Sequence, residues 1–304
     1  MAVLLAIFAA DILPIFRIAG IGFVLARRFD ASVKTLAHVV FYALAPCLVF
    51  TTLVGSKITG LQFGRMALLA VLVTATMGLL GWLFGTALRL DRPQLSAFLL
   101  VVMFSNGGNY GLPVALFAFG PEALSHATVY FVSSSMLTFT VGVVLAASGR
   151  RSMRRALRGI AKVPVVYSVA AASAVIALGI SVPLPLMRPI GMLSEAALPM
   201  MILVLGMQLE RATMPDRPSL VVAAVALSLL AAPAVALALT RWIGLSGAAR
   251  QAAVVQASMP VAVITTVLAL EFDVAPAFVT STVFASTLLS PLTLTPLIAY
   301  LRRG

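Results

Sequence analysis

Long apolar runs separated by short polar connections dominate the chain. Breaking the sequence at charged or Pro/Gly-rich points gives ten runs, and most approach the ~20 residues that a helix needs to cross a bilayer core. This pattern predicts an all-α integral membrane protein with ten transmembrane helices. The runs cover approximately residues 3–26, 33–54, 64–88, 94–118, 125–147, 163–181, 186–208, 218–240, 249–270 and 276–299.

Composition supports this interpretation. Hydrophobic residues make up 62% of the chain and charged residues only 10%, whereas soluble domains carry about 25% charged residues. The single cysteine, Cys47, excludes an intrachain disulfide, and His38 and His126 lie far apart in the sequence. Since no Cys or His cluster has metal-ligand spacing, we expect neither a metal nor a cofactor. The sequence also lacks a phosphate-binding loop, a dinucleotide fingerprint and a nucleophile elbow, so we expect that the protein is not an enzyme.

Basic residues lie mainly in the connections between the runs. The net charge of +12 would favour nucleic-acid binding in a soluble protein, but here no aromatic residues interleave with the charges. Most Lys and Arg residues follow odd-numbered runs, so the positive-inside rule puts both termini outside and the basic connection 149–162 in the cytoplasm. The first run has no basic residue before it and no cleavage site after it, which indicates a retained span rather than a signal peptide.

The basic connection divides the chain into two sets of five runs, residues 1–148 and 163–304. Because five is odd, a duplicated unit would sit upside down relative to its copy. Pro46 in the second run and Pro199 in the seventh, which we interpret as hinge or structural residues, are 153 positions apart, and Pro113 and Pro260 are 147 positions apart. The two similar offsets predict inverted five-helix repeats.

The fourth run carries the most informative segment, residues 105–113, with three glycines, two asparagines and a proline. Such a segment does not form a straight helix, and its exposed backbone groups must face protein or water rather than lipid. A helix that begins at such a break attracts anions. The ninth run has a weaker break at Pro260. We therefore expect a substrate site where the two breaks meet, formed by Asn106, Gly108, Asn109, Tyr110, Pro113, Gln256, Ser258, Met259, Pro260 and Thr265.

At these residues the sequence resembles the bacterial branch of the auxin efflux carrier family, which includes plant PIN proteins and bacterial malonate-type permeases. The resemblance covers essentially the whole chain, and its motifs are 13–16, 20–23, 44–46, 105–106, 111–113, 257–260, 268–272, 281–284 and 290–291. It implies inverted repeats, a scaffold subdomain and a transport subdomain drawn from both repeats, and a substrate site where the fourth and ninth helices cross. The same resemblance favours a homodimer. The chain departs from the plant members at Thr265, where they have a second proline.

Few ionisable residues lie within the runs, and such residues are functional candidates by default. Asp11 and Arg17 lie in the first run and Glu195 lies in the seventh, so these three are our candidates for energy coupling. We expect a secondary transporter of a small organic carboxylate in the bacterial cytoplasmic membrane, working by elevator-type alternating access and either proton-linked or a uniporter. Sodium coupling is an alternative, and an intramembrane enzyme or a sensor is another.

Overall fold

The computed structural model describes residues 2–29, 31–147, 163–210 and 217–303. Within these ranges the chain is helical, and the helices of the first part are α1 (Ala2–Phe29), α2 (Val33–Val54), α3 (Gly60–Ala87), α4 (Arg92–Met103) and α5 (Gly107–Ala146). The second part contains α6 (Pro164–Ala177), α7 (Leu184–Leu209), α8 (Pro218–Ile243), α9 (Gly247–Ala257), α10 (Ile264–Phe272) and α11 (Pro276–Leu301). The basic connection 149–162 lies outside the described residues.

Local sequence fixes where several helices begin. Thr59 and Gln62 form a reciprocal capping box at the start of α3, in which each side chain bonds a backbone N–H. The carboxylate of Asp91 accepts a hydrogen bond of 2.9 Å from the backbone N–H of Gln94 at the start of α4. At the other end of a span, Gly244 adopts a left-handed conformation with φ of 74° and ends α8.

Seven of the described helices are long and apolar enough to cross a membrane, namely α1, α2, α3, α5, α7, α8 and α11. Their outward faces carry large apolar side chains, including Met192, Val222 and Leu292, which are 73%, 67% and 73% exposed. A soluble protein rarely exposes such a surface, whereas the hydrocarbon core of a bilayer covers it. The chain is therefore a multi-pass α-helical membrane protein, and the count of ten crossings and the inverted repeats stay predictions.

Helix α5 folds back on itself at Gly120. This glycine has φ of 82° and ψ of −173°, a backbone conformation that only glycine adopts readily. A Cβ atom placed on Gly108 would lie 2.8 Å from the ring of Phe131. In a straight helix these two residues would be roughly 35 Å apart. Residues 107–119 and 121–146 therefore form an antiparallel pair without a loop, where the sequence predicted a connection of several residues.

The helices pack into two groups, each with members from both halves of the chain. The first group contains α1, α2, α6 and α7, and the second contains α3–α5 and α8–α11. Within the first group α1 and α7 are antiparallel and extremely close, because the backbone of Ala19 abuts Gly206 and that of Leu203 abuts Gly22. Small residues permit this close approach of two helices in a membrane.

Particular contacts join the two groups. The ring of Phe16 in α1 meets that of Tyr110 in α5 edge-on, with centroids 6.1 Å apart. At one end of the molecule, the guanidinium of Arg302 lies 2.8 Å from the carboxylate of Asp11. Arg302 also donates to the carbonyl of Ala118 at 2.8 Å, so it ties the end of α11 both to α1 and to the turn of α5.

Candidate functional site

The two interrupted helices cross and bond directly to each other. The first interruption, residues 104–106, separates α4 from α5, and the second, residues 258–263, separates α9 from α10. The backbone N–H of Asn106 donates to the carbonyl of Pro260 at 2.7 Å, and that of Ala262 donates to the carbonyl of Phe104 at 2.9 Å. These bonds form a short antiparallel bridge at Ser105 and Val261. We call residues 104–107 and 256–263, which contain both interruptions and the residues bonded across them, the crossing.

Side chains hold the crossing together on both sides. The hydroxyl of Ser105 donates to the carbonyl of Gln256 at 2.9 Å, and the amide Nε2 of Gln256 donates to the carbonyl of Gly107 at 3.3 Å. On the α10 side, the backbone N–H of Val261 donates to the hydroxyl of Ser286 in α11 at 3.1 Å. Backbone groups freed by the interruptions are thus partly satisfied by the opposite strand and by neighbouring hydroxyls, as burial in a membrane protein requires.

Glycines after the first interruption make room for this arrangement. A Cβ atom at Gly107 or at Gly111 would lie 2.6 Å from Oε1 of Gln256. The sequence predicted that residues 105–113 do not form a straight helix, and within them Gly107–Gly111 forms a π-helical turn. The widened turn comes just before Pro113, which has no N–H to bond the carbonyl of Asn109. The interruption accordingly precedes the glycines instead of including them.

Two polar atoms at the crossing have no hydrogen-bond partner. They are Nδ2 of Asn106 and Oε1 of Gln256, and both residues are buried, at 5% and 0% exposure. A buried polar group without a partner costs about 1–3 kcal/mol. Such a cost is rarely retained without a reason, and a ligand that bonds both atoms would remove it. An unpaired donor and an unpaired acceptor therefore lie on the two sides of the crossing, on α4–α5 and on α9.

The other predicted site residues with polar side chains have hydrogen-bond partners of their own. Tyr110 faces α11, where its hydroxyl lies 3.1 Å from that of Ser290. Asn109 faces the first group, where its Nδ2 lies 3.5 Å from Oε1 of Gln208. Ser258 and Thr265 are buried, but their hydroxyls donate to carbonyls of their own segment, those of Val254 and Ala262 respectively.

Gly108, Pro113, Met259 and Pro260 contribute shape and backbone to the buried region rather than polar side-chain atoms. Met259 is fully buried, and its side chain lies 3.0 Å from a Cβ placed on Gly111. Of the two predicted hinge residues, Pro46 lies in the first turn of the regular part of α2, which begins at Ala45 after a π-helical turn at Val40–Leu44. Pro199 lies inside the continuous helix α7.

The three candidates for coupling lie in unlike surroundings. Asp11 is buried, with a side-chain exposure of 4%, and pairs with Arg302. Arg17 and Glu195 are exposed on the outer faces of α1 and α7. Only Asp11 therefore lies between the two groups of helices.

Sequence reasoning missed several residues that surround the crossing, notably Ser286, Ser290 and Gln208. The two serines belong to a row of hydroxyl residues in α11 at intervals of four, which also includes Thr282 and is fully buried. This interval places the three residues on one helix face. A stripe of small polar side chains in an otherwise apolar span is a signal that could have located the α11 contribution. Gln208 shows no comparable pattern.

A cavity of about 210 Å³ lies elsewhere, at the starts of α4, α8 and α11. Its lining includes Gln94, Arg217, Leu220 and Phe278. Gln94 is in the first turn of α4, whereas the crossing follows the last turn of the same helix, roughly 15 Å further along. This cavity is therefore distinct from the crossing, where Nδ2 of Asn106 and Oε1 of Gln256 are closed off from solvent in this conformation.

An apolar exterior, two groups of helices and a buried polar crossing of broken helices are typical of a membrane transporter. Comparison with known proteins agrees, because a family model described as a membrane transport protein matches residues 7–298. The chain belongs to this family, the auxin efflux carrier family, and is a transporter rather than an enzyme.

Named relatives cover most of the chain. An uncharacterized transporter of Methanocaldococcus jannaschii is 25% identical over 268 residues, 86% of this chain and 87% of that protein. One of Methanothermobacter thermautotrophicus is 27% identical over 270 residues, 86% of each. A Rhizobium meliloti protein provisionally named as a malonate transporter is 27% identical over 307 aligned positions, 96% of this chain and 95% of that protein.

Proposed function

We propose that the chain carries a small organic carboxylate across the bacterial cytoplasmic membrane by elevator-type alternating access. The observation that carries the proposal is the buried crossing, where Nδ2 of Asn106 and Oε1 of Gln256 lack partners. Helix α5 begins beside Asn106, and the partial positive charge of a helix N-terminus favours an anion there. The name of the Rhizobium relative, which specifies malonate, supports a carboxylate.

The two unpaired atoms also suggest the protonation state of the substrate. Asn106 offers an amide donor, which suits a carboxylate oxygen, while Oε1 of Gln256 can only accept. A singly protonated dicarboxylate supplies both an ionised and a protonated carboxyl group. The pairing therefore fits a singly protonated dicarboxylate. Residues 104–106 and 258–263 include no Asp or Glu, which a sodium site often uses, so we favour proton-linked movement or uniport over sodium coupling.

The moving part in this proposal is the second group of helices, which contains the whole crossing. The first group would act as the scaffold, with both termini outside and the connection 149–162 in the cytoplasm. The contacts between the groups include Asp11 with Arg302, Asn109 with Gln208 and Phe16 with Tyr110. Displacement of one group along the other would exchange these contacts, and this sliding would open the crossing to one side of the membrane at a time. In a homodimer, the scaffold would form the contact between the two copies.

Reconstitution in liposomes tests the transport of carboxylates. Purified protein should take up radiolabelled malonate, and Asn106→Ala should weaken binding about 10- to 150-fold, since a hydrogen bond to a charged group contributes about 1.5–3 kcal/mol. Gln256→Ala should act in the same direction.

The matched control for Gln256→Ala is Gln251→Ala, which is also in α9. The amide of Gln251 donates to the carbonyl of Leu301 and does not contact the crossing. That variant should retain malonate affinity. Normal uptake by well-folded Asn106→Ala, or failure of the unaltered protein to move any carboxylate beside an active reference carrier, would refute the proposal.

A further inference from the structure

A cluster of two arginines and a tyrosine lies where α8, α9 and α11 meet, at the ends of apolar helices. Nη2 of Arg241, in the last turn of α8, donates to the hydroxyl of Tyr300 at 3.2 Å. Nη2 of Arg250, near the start of α9, donates to the same oxygen at 3.4 Å. The guanidinium of Arg250 also lies over the Tyr300 ring, 5.7 Å from its centroid.

This cluster is positively charged without a counter-ion in the described part of the chain. Neither Arg241 nor Arg250 pairs with a carboxylate there, whereas Arg302 nearby in sequence pairs with Asp11. Nε of Arg250 is buried and has no hydrogen-bond partner. Arg250 also lies in the positive end of the dipole of α9, which disfavours a cation at that position. Two like charges converge on one neutral oxygen, so an anion between them would be stabilised.

The surroundings of the cluster indicate the source of that anion. Trp242 is 76% exposed and Tyr300 is 45% exposed, and both lie at the ends of membrane-length helices. Tryptophan and tyrosine with neighbouring arginines are typical of the depth at which lipid headgroups lie. At that depth the bilayer itself presents phosphate groups, which guanidinium binds in bidentate geometry.

We propose that Arg241, Arg250 and Tyr300 form a binding site for the phosphate of a membrane phospholipid. The lipid would lie against α8 and α11, with its phosphate between the two guanidinium groups and its acyl chains along the apolar helix surfaces. The site does not depend on the substrate or the mechanism of transport. A lipid bound there would hold the N-terminal end of α9 at headgroup depth. The C-terminal end of the same helix carries Gln256 into the crossing.

Binding of short-chain lipids to the detergent-purified protein tests the proposal. Dioctanoyl phosphatidylglycerol should raise the thermal midpoint of the unaltered protein, because a ligand of the folded state stabilises it. Arg241→Gln/Arg250→Gln should bind this lipid roughly tenfold more weakly or worse, as expected when charge-assisted hydrogen bonds are lost. The matched control Arg188→Gln/Arg303→Gln removes the same charge from two exposed arginines and should bind like the unaltered protein.

Two further arms separate the possible ligands. Dioctanoylglycerol, which lacks the phosphate, should give no shift, and neither inorganic phosphate nor sulfate at the same concentration should reproduce the effect of the lipid. An equal shift with the free anions would overturn the assignment in favour of a site for soluble anions. An equal effect of the two double variants would overturn it in favour of general charge attraction.

A measurement on the unaltered protein covers the case in which the double variant does not fold. Native mass spectrometry of protein extracted from the membrane should show a retained phospholipid, displaced by added phosphatidylglycerol and not by dioctanoylglycerol. A spectrum without any phospholipid adduct under conditions that keep the protein folded would contradict the proposal.

Discussion

The close contact between α1 and α7 leaves no space for a methyl group at Gly206. A Cβ atom there would lie 1.7 Å from the carbonyl oxygen of Ala19 and 2.5 Å from its carbonyl carbon. Both atoms belong to the backbone, so no side-chain rotation can relieve the overlap. Since real Cβ contacts essentially never fall below 3.0 Å, the helices must separate by about 1.3 Å for Gly206→Ala to fit.

The expected cost follows from two opposing effects. Overpacking costs about 1–3 kcal/mol, and a backbone clash belongs at the upper end of that range. Alanine in place of glycine within a helix recovers about 1 kcal/mol. We therefore expect Gly206→Ala to destabilise the protein by about 2 kcal/mol. Gly191→Ala is the matched control on the same helix, because nothing lies within 4 Å of its Cβ position, and it should be neutral or stabilising.

Heating followed by size-exclusion chromatography measures the effect. The fraction of protein that stays monodisperse in detergent should fall at a temperature several degrees lower for Gly206→Ala than for Gly191→Ala. A Cβ atom at Gly22 would overlap the backbone carbonyl of Leu203 in α7. Gly22→Ala should therefore behave like Gly206→Ala. The combined variant should cost less than the sum, since the first methyl group already separates the helices. Equal midpoints for Gly206→Ala and Gly191→Ala would refute this reasoning.

Other features give further predictions. Gly120→Ala should destabilise the protein by about 1–3 kcal/mol through backbone strain alone, because its Cβ would meet nothing within 4 Å; thermal unfolding measures this, and an unchanged midpoint would contradict it. Asp11→Asn should cost about 1–3 kcal/mol, below the value for fully buried pairs, because the Arg302 side chain is 38% exposed; a double-mutant cycle with Arg302→Gln should show coupling, and additive effects would exclude it. Replacement of sodium by choline should leave malonate uptake in liposomes unchanged, and a large loss would instead support the sodium-coupled alternative.

Much of the helical framework could be predicted because apolar runs of membrane length have few other solutions. Residues 33–54 were predicted as a run and form a helix with the same bounds, Val33–Val54. The break near Asn106 was also visible, since glycines, asparagines and a proline rarely coincide within a span. Its position at 104–106 was less predictable, because Gly107–Gly111 forms a π-helical turn whose packing depends on Phe131 and Gln256 from other parts of the chain.

Tertiary partners were the part that the sequence did not reveal. Asp11 was a candidate for energy coupling, and its ion pair with Arg302 joins residues at opposite ends of the chain. No local periodicity encodes such a contact. The same applies to Gln208 opposite Asn109, since both lie in helices whose relative placement depends on the packing of the two groups. Local chemistry therefore predicted which residues were unusual, while the packing determined which of them meet.

The fold-back at Gly120 has a consequence for how motion at the crossing can be observed. Residues 107–119 and 121–146 are joined by one glycine without a flexible connection, and Phe131 packs against Gly108. Any shift of Asn106 along the membrane normal should therefore be accompanied by an equal shift of residues 121–146. A spin label on an outward-facing position of residues 121–146 would then report the position of the buried amide without any alteration near it.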